Sequence, residues 1–160
     1  MNNSKIIYLH GLESNSCSGK ALQFAQKFTG MLTPDFIGSF EERMAQLDPI
    51  LGAETDWTII GSSFGGLMGT VFTCKRPTQV RKLILLAPAL LRAHFAPYLD
   101  LETVSVPTVI VHGTEDDVVP LEPVRALAQK FFTNLTYHVV NDGHRLSKAF
   151  GELDWEKILA

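Results

Sequence analysis

Residues Trp57–Phe72 read WTIIGSSFGGLMGTVF. An apolar run that suits a buried strand leads into Gly61-Ser62-Ser63-Phe64-Gly65, a G-x-S-x-G pattern, and a helical run follows. A serine held at a sharp, strained strand-to-helix turn leaves no room for side chains two residues before and two after it. Gly61 and Gly65 meet that requirement around Ser63. Gly66 and Gly69 then keep one helix face small, so that the helix N-terminus can approach the sheet and offer free N–H groups to a developing anion. The plainer reading is a glycine-rich turn whose serines only cap the helix. The bare pattern arises by chance in roughly one chain in twenty of this size, so its position between strand and helix carries the weight.

Working outward, Ile-, Val- and Leu-rich runs without polar alternation recur at Lys5-Leu9, Trp57-Gly61, Lys82-Ala87, Thr108-His112 and Leu135-Val140, with a weaker one at Met31-Leu32-Thr33. Such runs suit strands covered on both faces of a parallel sheet. Helical spacing appears between them, with Ala21, Leu22, Ala25 and Phe28 on one face, then Met44, Leu47 and Leu51, then Val124, Leu127, Ala128 and Phe131. Ser39-Phe40-Glu41-Glu42 has the form of a capping box and predicts a helix from Phe40, which Pro49 should kink or end. The alternation implies an α/β fold, a three-layer sandwich around a mostly parallel sheet of about six strands, with ligands at the carboxyl ends of the strands.

The 160 residues, without a Pro/Gly/Ser-rich linker, are expected to form one domain, 1–160. A net charge of −3 with 19% charged residues shows no basic stripe or like-charge block for nucleic acid or membrane. The first apolar run is too short for a signal peptide or membrane span, and Cys17 and Cys74 suggest no disulfide framework, so a cytoplasmic protein is expected.

A serine hydroxyl needs a base, and the base needs an orienting acid. VPTVIVHGTEDDVVP ends a strand at His112-Gly113 and sets Glu115, Asp116 and Asp117 on the next loop; LTYHVVNDGHRL puts His144 on the loop after the last strand. The chain order Ser, acid, His is that of a strand-turn-helix nucleophile in α/β hydrolases.

With YLHG, GSSFGG, HGTEDDVVP and DGH in this order, the sequence resembles the α/β-hydrolase superfamily, and within it the small, nearly capless bacterial esterases of the YqiA/YcfP type. The resemblance implies Ser63 as nucleophile, His144 as general base and acid, and Asp116 as the triad acid with Asp117 as its rival. It also implies the backbone N–H groups of Leu12 and Phe64 as oxyanion donors. It implies a serine hydrolase acting on carboxylic esters or thioesters of small to medium acyl groups, with a small-molecule substrate, no cofactor and no metal. Peptidases, lyases and perhydrolases share the constellation, and a non-catalytic binding or scaffold protein on the same fold is the alternative.

The chain departs from larger relatives in starting directly at the His10-Gly11 strand, so a short sheet is expected. Its cap-like segment, about 88–105, is brief; Leu90, Leu91, Phe95, Tyr98 and Leu99 would form a small apolar flap or complete the core. His10 and His112 precede glycines at strand ends and suit structural hydrogen bonds; His138 lies within a strand, and His94 in the flap could line its mouth. A metal held by His112, Asp116 and Asp117 lacks any supporting spacing pattern, and Cys17 lacks an elbow to present it. Gly19-Lys20 looks like part of a phosphate loop, but position 14 is Ser and position 21 is Ala where that loop needs Gly and Ser or Thr. The pair reads instead as a solvated first helical turn capped by Ser18.

Overall fold

A computed structural model describes residues 5–91, 93–98 and 102–160. The five strong apolar runs become β1 (Lys5–Leu9), β2 (Trp57–Ser62), β3 (Val80–Leu86), β4 (Thr108–Gly113) and β5 (Leu135–Val140). They form one sheet in the order β1-β2-β3-β4-β5, every neighbouring pair parallel. The helices are α1 (Gly19–Lys27), α2 (Phe40–Leu51), α3 (Phe64–Lys75), α4 (Leu121–Phe131), α5 (Ala149–Glu152) and α6 (Trp155–Leu159). Short 3₁₀ turns lie at Pro77–Gln79 and Ala93–Tyr98.

Successive strand side chains point to opposite faces of a sheet, and the sequence fills both faces with apolar groups. Ile7, Leu9, Ile59, Leu83, Leu85 and Ile110 pack with α2, α3 and α4 in one core. The alternate residues Tyr8, Ile60, Ile84, Leu86, Val109 and Val111 pack with Phe24 of α1, Phe150 of α5 and Trp155 of α6 in the other. Three layers result.

In α3 every residue from Phe64 to Thr73 is buried, so the helix shows no polar face. Its two buried hydroxyls return to the helix itself, Thr70 to the Gly66 carbonyl at 2.8 Å and Thr73 to the Gly69 carbonyl at 2.7 Å. A Cβ on Gly69 would lie 3.1 Å from Ile59 Cγ2, so the missing side chain is what lets α3 settle against β2.

Four details differ from the sequence reading. Leu32 makes a single bridge to Ile7, because Gly30 turns the chain at φ 87° just before it and Pro34 has no N–H to continue a ladder. The sheet therefore has five strands among the described residues. α1 buries Ala21 and Phe24, while Leu22 and Ala25 face solvent: the large Phe24 ring, edge-on to Phe150 and Trp155, sets the buried face. The capping box of α2 forms as expected, but Pro49 does not end the helix; it sits in the last turn, and Gly52 closes that turn by donating to Asp48. β5 is an edge strand with Thr136, His138 and Val139 exposed, so the rule of burial on both faces fails there.

Of the cap-like segment, Leu90 and Phe95 are buried in the core beside Phe131, whereas Leu91 is half exposed. Leu99 and the side chains of His94 and Tyr98 lie outside the described residues.

Candidate active site

Ser63 sits between β2 and α3 with φ 52° and ψ −111°, a conformation that L-residues rarely adopt. Neighbouring backbone holds it there. Its N–H donates to the Leu86 carbonyl at 2.9 Å, and its carbonyl accepts from Ala89 at 3.0 Å and Leu67 at 3.2 Å. A Cβ on Gly65 would fall on the carbonyl oxygen of Leu9, and one on Gly61 would fall on that of Gly65. One on Gly66 would come within 2.9 Å of Pro88 Cβ. The glycine spacing in the sequence is thus a packing requirement of the turn.

Two serines stand side by side at this turn, and their partners differ. Ser62 shares a hydrogen bond with the buried Tyr8 hydroxyl, whose pKa burial pushes up to about 12. Ser63 Oγ instead lies 3.1 Å from His144 Nε2.

His144 Nδ1 is 2.8 Å from Asp116 Oδ2. A carboxylate can only accept, so Nδ1 carries the hydrogen and Nε2 turns its lone pair to the serine. The Asp116 side chain is fully buried, that of His144 is 19% exposed, and Asp117 is exposed. Burial alone would raise the Asp116 pKa, but the Val119 amide, the His144 ring and the Val118 amide hold the carboxyl below its ordinary value. Those two amides meet Oδ1 at 2.7 and 2.9 Å.

A second histidine also reaches this carboxylate. His112 Nε2 faces the Val119 carbonyl at 3.0 Å and Asp116 Oδ2 at 3.2 Å, and its Nδ1 meets the Tyr137 hydroxyl at 2.8 Å. Nε2, facing two acceptors, carries a hydrogen, and the phenol then donates to Nδ1. The expected structural bonding of His112 is present, but its contact with Asp116 was not foreseen. The i, i+4 spacing of His112 and Asp116 was the available signal.

The loop bearing His144 is held from two sides. Asp142 accepts from the Gly143 amide at 2.8 Å, from Lys148 at 2.9 Å and from Ala149 at 2.8 Å. Those bonds, the Ala149 amide first, lower its pKa. Lys20 of α1 donates to the Arg145 carbonyl, next to His144. Lys20 is therefore half-buried and tied to the loop, not a solvated residue; Ser18 does cap α1, accepting from Ala21.

On the other side of Ser63, a Cβ on Gly11 would stand 3.8 Å from Ser63 Cβ, so the turn after β1 abuts the elbow. His10 shapes that turn: Nε2 accepts from the Phe36 amide at 2.9 Å, and Nδ1, left with the hydrogen, donates to the Gly11 carbonyl at 2.7 Å. Leu12 follows and is 41% exposed, and Phe64 is the first residue of α3.

Elsewhere, His138 is exposed on β5, Cys17 is an exposed thiol, and burial pushes the Cys74 thiol up to about 12. Among the described residues no group of three or more His, Cys, Asp or Glu side chains is arranged to hold a metal ion. No helix among them is long and apolar enough to cross a membrane.

A parallel sheet carrying a strained serine at a strand end, with a histidine and an aspartate meeting it from later loops, is the architecture of the α/β hydrolases. A protein from Xanthomonas campestris pv. campestris assigned to that superfamily is similar at 26% identity and TM-score 0.75, over 95% of this chain and 93% of that one. A monoacylglycerol lipase from Paleococcus ferrophilus shares the fold at 15% identity and TM-score 0.74, with coverage of 96% and 92%. The thioesterase domain of a curacin biosynthetic pathway does so at 14% identity and TM-score 0.78, with coverage of 99% and 92%. Among curated proteins, none matches the chain. The chain belongs to the uncharacterised protein family UPF0227, whose profile matches residues 5–116.

Proposed function

We propose that this hydrolase-fold chain is a serine hydrolase that cleaves carboxylic esters or thioesters of small to medium acyl groups. The observation that carries the reading is the unbroken hydrogen-bonded series Ser63, His144, Asp116. In this reading Ser63 Oγ attacks the acyl carbonyl carbon while His144 Nε2 takes the hydroxyl proton. The carbonyl electron pair moves onto oxygen and is met by the Leu12 and Phe64 amides. Collapse of that adduct breaks the bond to the alcohol or thiol, which leaves with the proton from His144. Water, deprotonated by the same ring, then attacks the acyl-serine and frees the acid and Ser63. Asp116 stays ionised throughout and fixes the imidazole tautomer.

In this reading residues 1–160 form one domain with a short cap-like segment at about 88–105, so that the acyl site is open and takes a small-molecule substrate. Its setting in this reading is the cytoplasm. The lipase and thioesterase among the structural neighbours support acyl chemistry on this fold. Hydrolysis of p-nitrophenyl esters of graded chain length by the wild type, lost in Ser63→Ala, tests it. Turnover that survives in Ser63→Ala contradicts it.

A further inference from the structure

Arg43 is only 5% exposed, and none of its hydrogen bonds goes to a carboxylate. It lies in the first turns of α2, where its amide donates to the Ser39 carbonyl at 2.9 Å. From there Nε donates to the Gly38 carbonyl at 3.1 Å and Nη2 to the Leu12 carbonyl at 3.1 Å. The guanidinium carbon stands 5.4 Å from the centre of the Phe64 ring, which Phe40 meets edge-on at 6.0 Å. Nη1 is buried without a hydrogen-bond partner. Among the described residues no carboxylate lies within ion-pair distance of the guanidinium.

A buried cation without a counter-charge is costly, and packing alone does not require one, since a methionine fills a comparable volume. What sets Arg43 apart is the pair of residues it touches. Leu12 and Phe64 are the two whose amides receive the oxyanion in the acyl-transfer reading.

We propose that Arg43 is a positioning residue for the oxyanion hole: it fixes the Leu12 segment through its carbonyl and keeps a positive charge, which no described carboxylate neutralises, close to the forming oxyanion. The inference rests on the acyl-transfer reading above. Negative charge develops on the acyl oxygen only as Ser63 adds, so the contribution of Arg43 is larger in the transition state than in the bound ester. Its loss falls on kcat and leaves KM nearly unchanged. Sequence reasoning had no hold on Arg43, because both its side-chain acceptors are backbone carbonyls, one of them 31 residues away.

The test compares wild type with Arg43→Met, Arg43→Gln and Arg43→Lys, each checked for folding by circular dichroism and Tm. It reads kcat and KM for a p-nitrophenyl ester, and the inhibition constant of an alkyl boronic acid, which becomes a negatively charged tetrahedral adduct on serine. Arg43→Met is expected to lower kcat about 10- to 100-fold with KM within about twofold, somewhat less than loss of an oxyanion donor itself. Boronate affinity is expected to fall in parallel, and Arg43→Lys to recover part of both. If Arg43→Met fails to fold, Arg43→Gln, which keeps a hydrogen-bond donor but no charge, takes its place. A folded Met or Gln variant with wild-type kcat and boronate affinity overturns the inference, whatever its Tm. Ser63→Ala in the same assay separates the layers: residual turnover there, or none in the wild type, fails the acyl-transfer reading and the inference with it. Ser63-dependent turnover indifferent to Arg43 fails the inference alone.

Discussion

His112 Nε2 stands 3.2 Å from Asp116 Oδ2, and both side chains are fully buried. The carboxylate that orients His144 is thus itself oriented by a second imidazole, which the Tyr137 hydroxyl holds in turn. A buried acceptor deprived of its donor costs about 1–3 kcal/mol. His112→Leu is expected to lose about 2 kcal/mol or more of unfolding free energy, since Asp116, Val119 and Tyr137 lose a partner together. Tyr137→Phe, which strips one bond, is expected to lose about 1 kcal/mol. Urea midpoints read both, and a His112→Leu midpoint equal to the wild type would show that the contact holds nothing.

The glycines of the elbow make a second prediction. A Cβ at Gly65 meets the Leu9 carbonyl oxygen, and backbone there cannot yield as a flexible side chain would. Gly65→Ala is expected to destabilise by about 3 kcal/mol or more, at the upper end of ordinary overpacking. Gly19→Ala is the control, because its Cβ meets nothing within 4 Å and alanine suits the first turn of α1. It is expected to leave thermal stability unchanged or slightly raised. Equal losses in both variants would remove the geometric explanation of the G-x-S-x-G spacing.

A third concerns acid. The pKa values of Asp116 and Asp142 lie below the ordinary carboxylate value when folded. The unfolded chain therefore binds protons first as pH falls, and the stability these groups contribute is full above about pH 4. It declines below that, through the folded values. Asp142→Asn has one acceptor oxygen where the carboxylate has two, so it is expected to lower the urea midpoint at neutral pH and to flatten its fall below about pH 4, because this position then takes up no proton. An unchanged slope would mean that the His144 loop is not held by that carboxylate.

What could be read from the sequence follows physical rules of differing strength. Five strands were legible because buried parallel strands are continuous apolar runs, and the α2 start was legible because Ser39 and Glu42 satisfy each other locally. Leu32 was overread as strand material: the local apolar trio takes no account of Gly30 and Pro34 on either side. In α1, apolar count favoured Leu22 and Ala25, but ring packing against Phe150 and Trp155 decided the face. The serine, aspartate and histidine that meet at the site were each visible as loop residues after strands. Their supports were not. Asp142, Lys20, Tyr137 and Arg43 act through bonds whose partners are distant in sequence or are backbone groups that any residue supplies.

The most direct measurement is the site and rate of covalent capture by a fluorophosphonate, read by mass spectrometry of the digested protein. One adduct is expected, on the peptide carrying Ser63. None is expected in Ser63→Ala, and capture is expected to slow by at least about 100-fold in His144→Ala, the lower range for loss of a positioned base. Capture at another residue, or an undiminished rate in Ser63→Ala, would contradict it.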